Sequence, residues 1–239
     1  MNIFMEIMKG QRKVVEEVCM EGRVPGHIKF TFIALIPKVD HPDTYNAFQP
    51  IYLCNMVYKI ISKVIAMKIK PILSRAISVE HIGFMEGRSI HEVVGVSQEA
   101  LHSVKITSSC MMIINLDLSK AYDRVLWTLL HLMLLQIGFS LTTIKWIMGC
   151  VTSLHMEILI NGMAYFFSNP SRGLRQGCPL SPYLFMLVVE GLSRWLLDAK
   201  ARSLVRGVLV GRHIFITHLL FVGDIRFYFV LEMRRKFTK

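Results

Sequence analysis

The chain has 239 residues, 53% hydrophobic and 19% charged, which is ample for a sizeable core and unlike the composition of a disordered tract. A formal charge of +11 and a pI near 9.6 favour a polyanionic partner, either nucleic acid or an anionic membrane surface. The five cysteines, Cys19, Cys54, Cys110, Cys150 and Cys178, are odd in number, far apart and without a C-x-x-C pair, which argues against a disulfide framework and a zinc site.

No charged n-region precedes an apolar stretch and cleavage site at the N-terminus, so no secretory signal is read, and an intracellular setting, nucleus or cytoplasm, is expected. Residues 2–22 mix charged and apolar positions as a helix would, and residues 1–26 are set apart as an N-terminal flanking helix. RVPGHIKFTFIALIPKV carries two breakers and then strand-like alternation, which predicts a strand over 29–36. DHPDTYNAFQPI is turn-rich and predicts a loop, with Asn46 and Gln49 close to Pro50. From Val57 the pattern is helical: Val57, Ile60, Ile61, Val64 and Ile65 share one face, and Pro71 ends or kinks the helix. Lys59, Lys63 and Lys70 fall on a neighbouring arc, either a solvated face or a ridge turned to phosphates.

After a Gly-rich turn, IGFMEGRS, and a second helix, MMIINLDL at 111–118 is an apolar run ending in an acid, the pattern of a fully buried strand. Ser119 and Asp123 then stand at the opening of a long helix. Residues 125–144 contain no Asp, Glu, Lys or Arg and reach the length of a bilayer span. His131, Gln136, Gly138, Ser140, Thr142 and Thr143 dilute that apolar character, so the segment reads as a buried helix, a break at Gly138 and the start of another helix, without stable membrane association. EILINGMAYFFS predicts a hairpin around Asn161-Gly162. There follow the loop PSRGLRQGCP, a helix over 181–199, two strands at about 206–222 and 225–231 joined at Gly223-Asp224, and a basic tail over 231–239. Helices interspersed with antiparallel hairpins make an α+β architecture.

Singly, the polar residues of these segments are ordinary. Asp117 at a strand end reads as a turn or capping residue, and Asp224 as turn chemistry. The loop Arg172-Gly-Leu-Arg175-Gln176-Gly177 suits a phosphate contact, because glycines admit backbone amides and arginines bind in a fork.

Their combination is specific. FIALIPKV (32–39), FQPIYLCN (48–55), HIGFMEGRSI (81–90), INLDLSKAYDRV (114–125), PSRGLRQGCPLSPYLF (170–185) and HLLFVGDIRFY (218–228) occur in the order of the reverse transcriptase motif series. The chain resembles the reverse transcriptases of LINE-type, non-long-terminal-repeat retrotransposons, most closely those abundant in plants, over a domain spanning 27–230. The resemblance implies a right-hand polymerase fold, here fingers and palm with the thumb absent, whose palm carboxylates hold two Mg²⁺ ions. By motif position Asp117 matches the first metal ligand, with the carbonyl of Leu118 beside it, and Asp224 belongs to the second carboxylate group. Tyr122 matches the gate that rejects a ribose 2′-hydroxyl. Arg175, Gln176 and Gly177 match the loop that meets nucleotide and template, and Lys38 and Arg88 resemble fingers residues near nucleic acid. The implied partners are an RNA template, a DNA primer and deoxynucleoside triphosphates.

The departures matter as much. The Phe-Ala-Asp-Asp usual in this group is Phe221-Val222-Gly223-Asp224 here, so one metal-binding Asp is missing. Gln49 stands where an Arg thought to bind the triphosphate is usual, Cys178 where an Asp follows Arg-Gln-Gly, and His81 where a Gln precedes the third motif. The expected function is therefore an RNA-directed DNA polymerase domain that is catalytically inactive because of Gly223. The alternatives are a non-catalytic nucleic-acid-binding remnant and a membrane-associated protein resting on 125–144.

Overall fold

The computed structural model describes residues 28, 30–83, 87–107, 110–152, 155–211, 214–221 and 223–231; the flanking helix read over 2–22 and the basic tail beyond 231 lie outside them. In chain order come β1 (Phe30–Pro37), β2 (Phe48–Cys54), α1 (Met56–Ala76), α2 (Ile90–Thr107), β3 (Cys110–Asp117), α3 (Trp127–Ile137) and α4 (Leu141–Thr152). They are followed by β4 (His155–Ile160), β5 (Met163–Ser168), α5 (Ser181–Ala201), β6 (Val208–Val210), β7 (Ile214–Ile216), β8 (His218–Phe221) and β9 (Asp224–Leu231). The mixture is the α+β architecture expected. The chain forms two compact units, one from residues 1–72 and 122–185, the other from 73–121 and 186–239.

The first unit is built on a sheet of order β2-β1-β4-β5, in which β1 pairs antiparallel with β2 and parallel with β4. The loop read across DHPDTYNAFQPI is therefore too long: a 3₁₀ turn at Tyr45–Ala47 gives way to β2, which pairs with β1 from Pro37↔Phe48 to Thr31↔Cys54. Pro50 hid this strand, and it is tolerated because β2 is the sheet's edge, where a missing N–H breaks no ladder. The hairpin at Asn161-Gly162 forms as read, with φ of 51° and 80°, the doubly left-handed turn that matches strand twist.

The helix from Met56 does not end at Pro71 but continues to Ala76. Tyr58, Ile61, Ile65 and Ile69 are buried along it, Lys63 is exposed, and Lys59 and Lys70 are half-buried. The apolar segment 125–144 divides as its sequence suggests, with Gly138 in the left-handed region at the end of α3. Among the described residues no helix is long and apolar enough to cross a membrane. Ser119 and Asp123 do not open that helix. A 3₁₀ turn at Tyr122–Arg124 intervenes, and α3 starts from Leu126 without a side-chain cap.

The second unit holds a sheet of order β3-β9-β8 and the small hairpin β6-β7. MMIINLDL forms β3 as read, but not as a buried strand: Met112, Ile113 and Leu116 are exposed, because β3 is an edge with one neighbour rather than an internal strand. The single strand read over 206–222 is broken into β6, β7 and β8, with Gly211 at φ 63° turning the chain between the first two. Ile82, Ala100, Val208, Val210, Ile216, Leu219 and Tyr228 close a hydrophobic core within this unit.

The same unit encloses a polar network. Glu190, 1% exposed, accepts hydrogen bonds from Ser78 N (3.1 Å), Ser78 Oγ (2.9 Å) and Arg194 Nε (3.1 Å). Ser78 Oγ meets Ser193 Oγ at 2.7 Å, Ser193 Oγ meets His218 Nε2 at 2.7 Å, and His218 Nδ1 meets Thr217 Oγ1 at 2.9 Å. His81 Nε2 lies 3.3 Å from Glu190 Oε2. Burial, reinforced by the charges of His218 and Arg88, lowers the His81 pKa to about 3, so this contact is made by a neutral imidazole and is no ion pair. Burial likewise takes His218 down to about 4.

Both imidazoles are held below the ordinary 6.5, so folding favours their neutral forms. Their contribution is complete above pH about 6.5 and is withdrawn as pH falls toward the folded values, at about 1.4 kcal/mol per unit for each group. Urea unfolding midpoints should therefore drop steeply between pH 6.5 and 4.5. A flat profile over that window would show that one or both rings are already protonated in the fold.

Candidate active site

In the second unit the antiparallel ladder between β3 and β9 sets Asp117 opposite Asp224, at the end where β9 begins beside Phe221 of β8. Leu118 N donates to Gly223 O at 3.1 Å, which fixes the turn against the residue after Asp117. Leu118 O accepts from Ala121 N at 3.1 Å and keeps a second lone pair. Both carboxylates are exposed and border a cavity of about 420 Å³ whose lining includes Val94, Asn115, Phe221 and Arg226. Arg226 is tied down there, Nε donating to Asn115 Oδ1 at 2.7 Å and Nη1 to Ser97 Oγ at 3.3 Å. A Cβ placed on Gly223 would meet nothing nearer than Ala121 Cβ at 4.0 Å, so the position has room for a side chain and holds none.

Asp117, Asp224 and the Leu118 carbonyl are thus brought together by strand register. Among the described residues no group of three or more His, Cys, Asp or Glu side chains is placed to hold a metal ion. Two carboxylates and a carbonyl are hard oxygen donors suited to one Mg²⁺-like ion, and they fall short of the donors that a pair demands. Arg88 belongs to this unit but is spent locally: Nη1 donates to Ser78 O at 2.7 Å and also to His81 O.

The first unit assembles a second group. The turn carrying Tyr122 and Asp123 is pinned to the loop 170–178 by Gly173 N→Val125 O, Leu174 N→Tyr122 O and Trp127 Nε1→Gly173 O, each 2.8 Å. Gly173 is required there: at φ 98° its backbone runs so close to Asp123 that a Cβ would lie 3.0 Å from Asp123 O. Asp123 Oδ1 accepts from Tyr52 Oη at 3.2 Å and from Gln176 Nε2 at 3.4 Å, and burial together with this carboxylate pushes the Tyr52 phenol far up. The Tyr122 ring stacks on Phe185 with centroids 4.9 Å apart, and burial raises its pKa. Gly177 is exposed at φ 80°. Lys38 is also exposed, its N–H bonded to Ala47 O at 2.8 Å, and Gln49 is exposed opposite Ile36.

Arg175 points the other way. It is 3% exposed, and its guanidinium lies 3.9 Å from the ring centroid of Tyr58. Asp123 went unassigned in the sequence beyond the opening of a helix, although it stands beside Tyr122 in the LDLSKAYDRV string. Tyr52 was given no role, although it stands in the FQPIYLCN string, one residue beyond the segment read as loop.

The profile of the reverse transcriptase (RNA-dependent DNA polymerase) family matches residues 36–232. The chain is 28% identical over 178 residues to an uncharacterized 149 kDa protein of transposon TX1 from Xenopus laevis, covering 74% of this chain and 14% of that protein. It is 26% identical over 176 residues to a retrovirus-related Pol polyprotein from a type-2 retrotransposable element of Drosophila melanogaster, covering 73% and 16%. The chain therefore spans about one-seventh of the length of these relatives. Its fold is similar to that of telomerase from Candida albicans, solved in complex with a fragment of telomeric RNA, with a TM-score of 0.59 at 11% identity over 84% of this chain and 38% of that one.

Proposed function

We propose a function that proceeds from one premise: the chain belongs to the reverse transcriptase (RNA-dependent DNA polymerase) family and is a reverse transcriptase domain of the non-long-terminal-repeat retroelement kind. On that premise it is a template-binding polymerase domain, engaging an RNA template, a DNA primer and a deoxynucleoside triphosphate, whose phosphoryl-transfer step is disabled. The single observation behind this reading is the end of the β3–β9 ladder, where Asp117 faces Asp224 and the neighbouring Gly223 has no side-chain oxygen to offer.

Mg²⁺, when bound to such a site, activates the primer hydroxyl and stabilises the leaving pyrophosphate. Asp117, Asp224 and the Leu118 carbonyl would hold one ion, and the described residues supply no further carboxylate for a partner ion. The remaining residues keep positioning roles. Tyr122, braced by Phe185, is a wall against a 2′-hydroxyl, and Gln176, held by Asp123, steadies the loop that would meet the nucleotide. The +11 charge supplies the long-range attraction to the nucleic-acid backbone.

The reading separates two measurements on one substrate, a DNA primer annealed to an RNA template. Fluorescence anisotropy should show binding whose log affinity falls linearly and steeply with log salt. Primer extension with Mg²⁺ should stay at background. Robust extension would remove the disabled step, and salt-insensitive binding would remove the template.

A further inference from the structure

Arg226 brings a permanent positive charge into the cavity that Asp117 and Asp224 border, and among the described lining residues these three are the only charged ones. Its placement follows from register. Asp117 pairs with Asp224 and Asn115 with Arg226, and side chains two residues apart along a strand share a face, so all four project from one side of the β3–β9 ladder. The bond from Arg226 Nε to Asn115 Oδ1 at 2.7 Å agrees with that placement. Two residues of strand span about 6.8 Å, which is the backbone separation of Arg226 from Asp224.

The guanidinium is held in place rather than paired. Asn115 fixes Nε, Nη1 reaches Ser97 Oγ on α2 at 3.3 Å, and among the described residues Arg226 forms no ion pair with either carboxylate. A loose arginine this near two carboxylates would fold onto one of them in a fork. Asn115 and Ser97 are neutral, so they anchor the cation without cancelling it. Both carboxylates keep their oxygens for a ligand, and that ligand meets two negative charges and one positive. Val94, Leu219, Phe221 and Ile225 add apolar wall to the same cavity, which weakens the screening that water would give.

A purely structural role would have Arg226 tie β9 to β3 and α2. That task needs no charge: Ser97 Oγ already meets Tyr228 Oη of β9 at 2.6 Å, and β3 and β9 are in register along eight residue pairs.

We propose that Arg226 is a specificity-determining residue of the palm site, a fixed cation that weakens the hold of Asp117 and Asp224 on a divalent metal ion. This role rests on the one-ion reading of the site and adds what sets its affinity. Repulsion between a doubly charged ion and a guanidinium one or two strand steps away loosens the ion by about threefold to tenfold at low salt.

The test is titration calorimetry of the full chain with Mn²⁺ at about 10 mM and about 300 mM salt, between which the screening length falls from about 30 Å to roughly 6 Å. Arg226→Leu and Arg226→Gln should each bind Mn²⁺ about threefold to tenfold more tightly at the lower salt, and the gain should shrink at the higher. Arg226→Lys keeps the charge without the fork and should stay within about twofold of the unaltered chain. Asp117→Asn locates the ion and should remove the binding. With the ion so located, neutral variants that bind Mn²⁺ no more tightly, or a lysine variant that gains as much as they do, overturn the proposal and leave the one-ion reading standing. Binding that survives Asp117→Asn overturns both.

Discussion

Gly223→Asp is expected to raise the affinity of the palm site for Mn²⁺ by about tenfold to a hundredfold in titration calorimetry, since even outer-shell partners of a metal site carry effects of that size. The added carboxylate would stand beside Asp117 and Asp224, at a position where a Cβ meets nothing nearer than Ala121 Cβ at 4.0 Å. Leu118 N already fixes the backbone of residue 223 through Gly223 O, so the substitution changes the donor set without needing the hairpin to move. The converse sets the scale for catalysis. Lacking one anionic ligand, the chemical step should be slower by roughly a thousandfold, about 4 kcal/mol of barrier at 1.36 kcal/mol per decade. Asp117→Asn added to Gly223→Asp should cancel the gain in Mn²⁺ affinity. An isotherm unchanged by Gly223→Asp would mean that residue 223 does not share an ion with the two carboxylates, and the disabled-site reading would lose its basis.

The elements that were legible in the sequence are those with local signatures. The hairpin at Asn161-Gly162 follows from residues that accept positive φ, and the division of 125–144 follows from Gly138. What failed depended on neighbours. β2 was hidden because Pro50 forbids a central strand, and only the sheet order reveals that β2 lies at an edge. The apolar run of β3 promised burial that an edge strand does not provide, and Met112 and Ile113 are exposed as a result. At the site, motif order singled out Asp117 and Asp224, and their facing across the ladder is a matter of register that no single segment encodes. Arg175 illustrates the limit most clearly: a basic residue in a Gly-rich loop reads as a surface phosphate contact, yet the loop turns it under Tyr58. The polar network around Glu190 left no periodic trace, because its members come from α5, β8 and the turn after α1.

That network supports the largest stability effect. Glu190→Ala should destabilise the chain by about 2–3 kcal/mol, the upper part of the range for polar groups left without their acceptor. The carboxylate accepts from Ser78 N, Ser78 Oγ and Arg194 Nε, and its loss leaves the half-buried Ser78 donors without the buried acceptor they point at. Arg194 feels the loss least, because its Nη2 still donates to Ala76 O at 2.9 Å and its side chain is 36% exposed. A contrast on the same helix isolates burial as the cause. Arg202 Nε lies 2.9 Å from Asp198 Oδ2, a closer contact than any Glu190 makes with Arg194, but the two side chains are 69% and 53% exposed. Water solvates both charges there, and Asp198→Ala should change stability by no more than about 1 kcal/mol. Urea denaturation of both variants, with slopes held equal, gives the comparison directly. Equal losses would assign the stability to helix charge pairing rather than to the desolvated network.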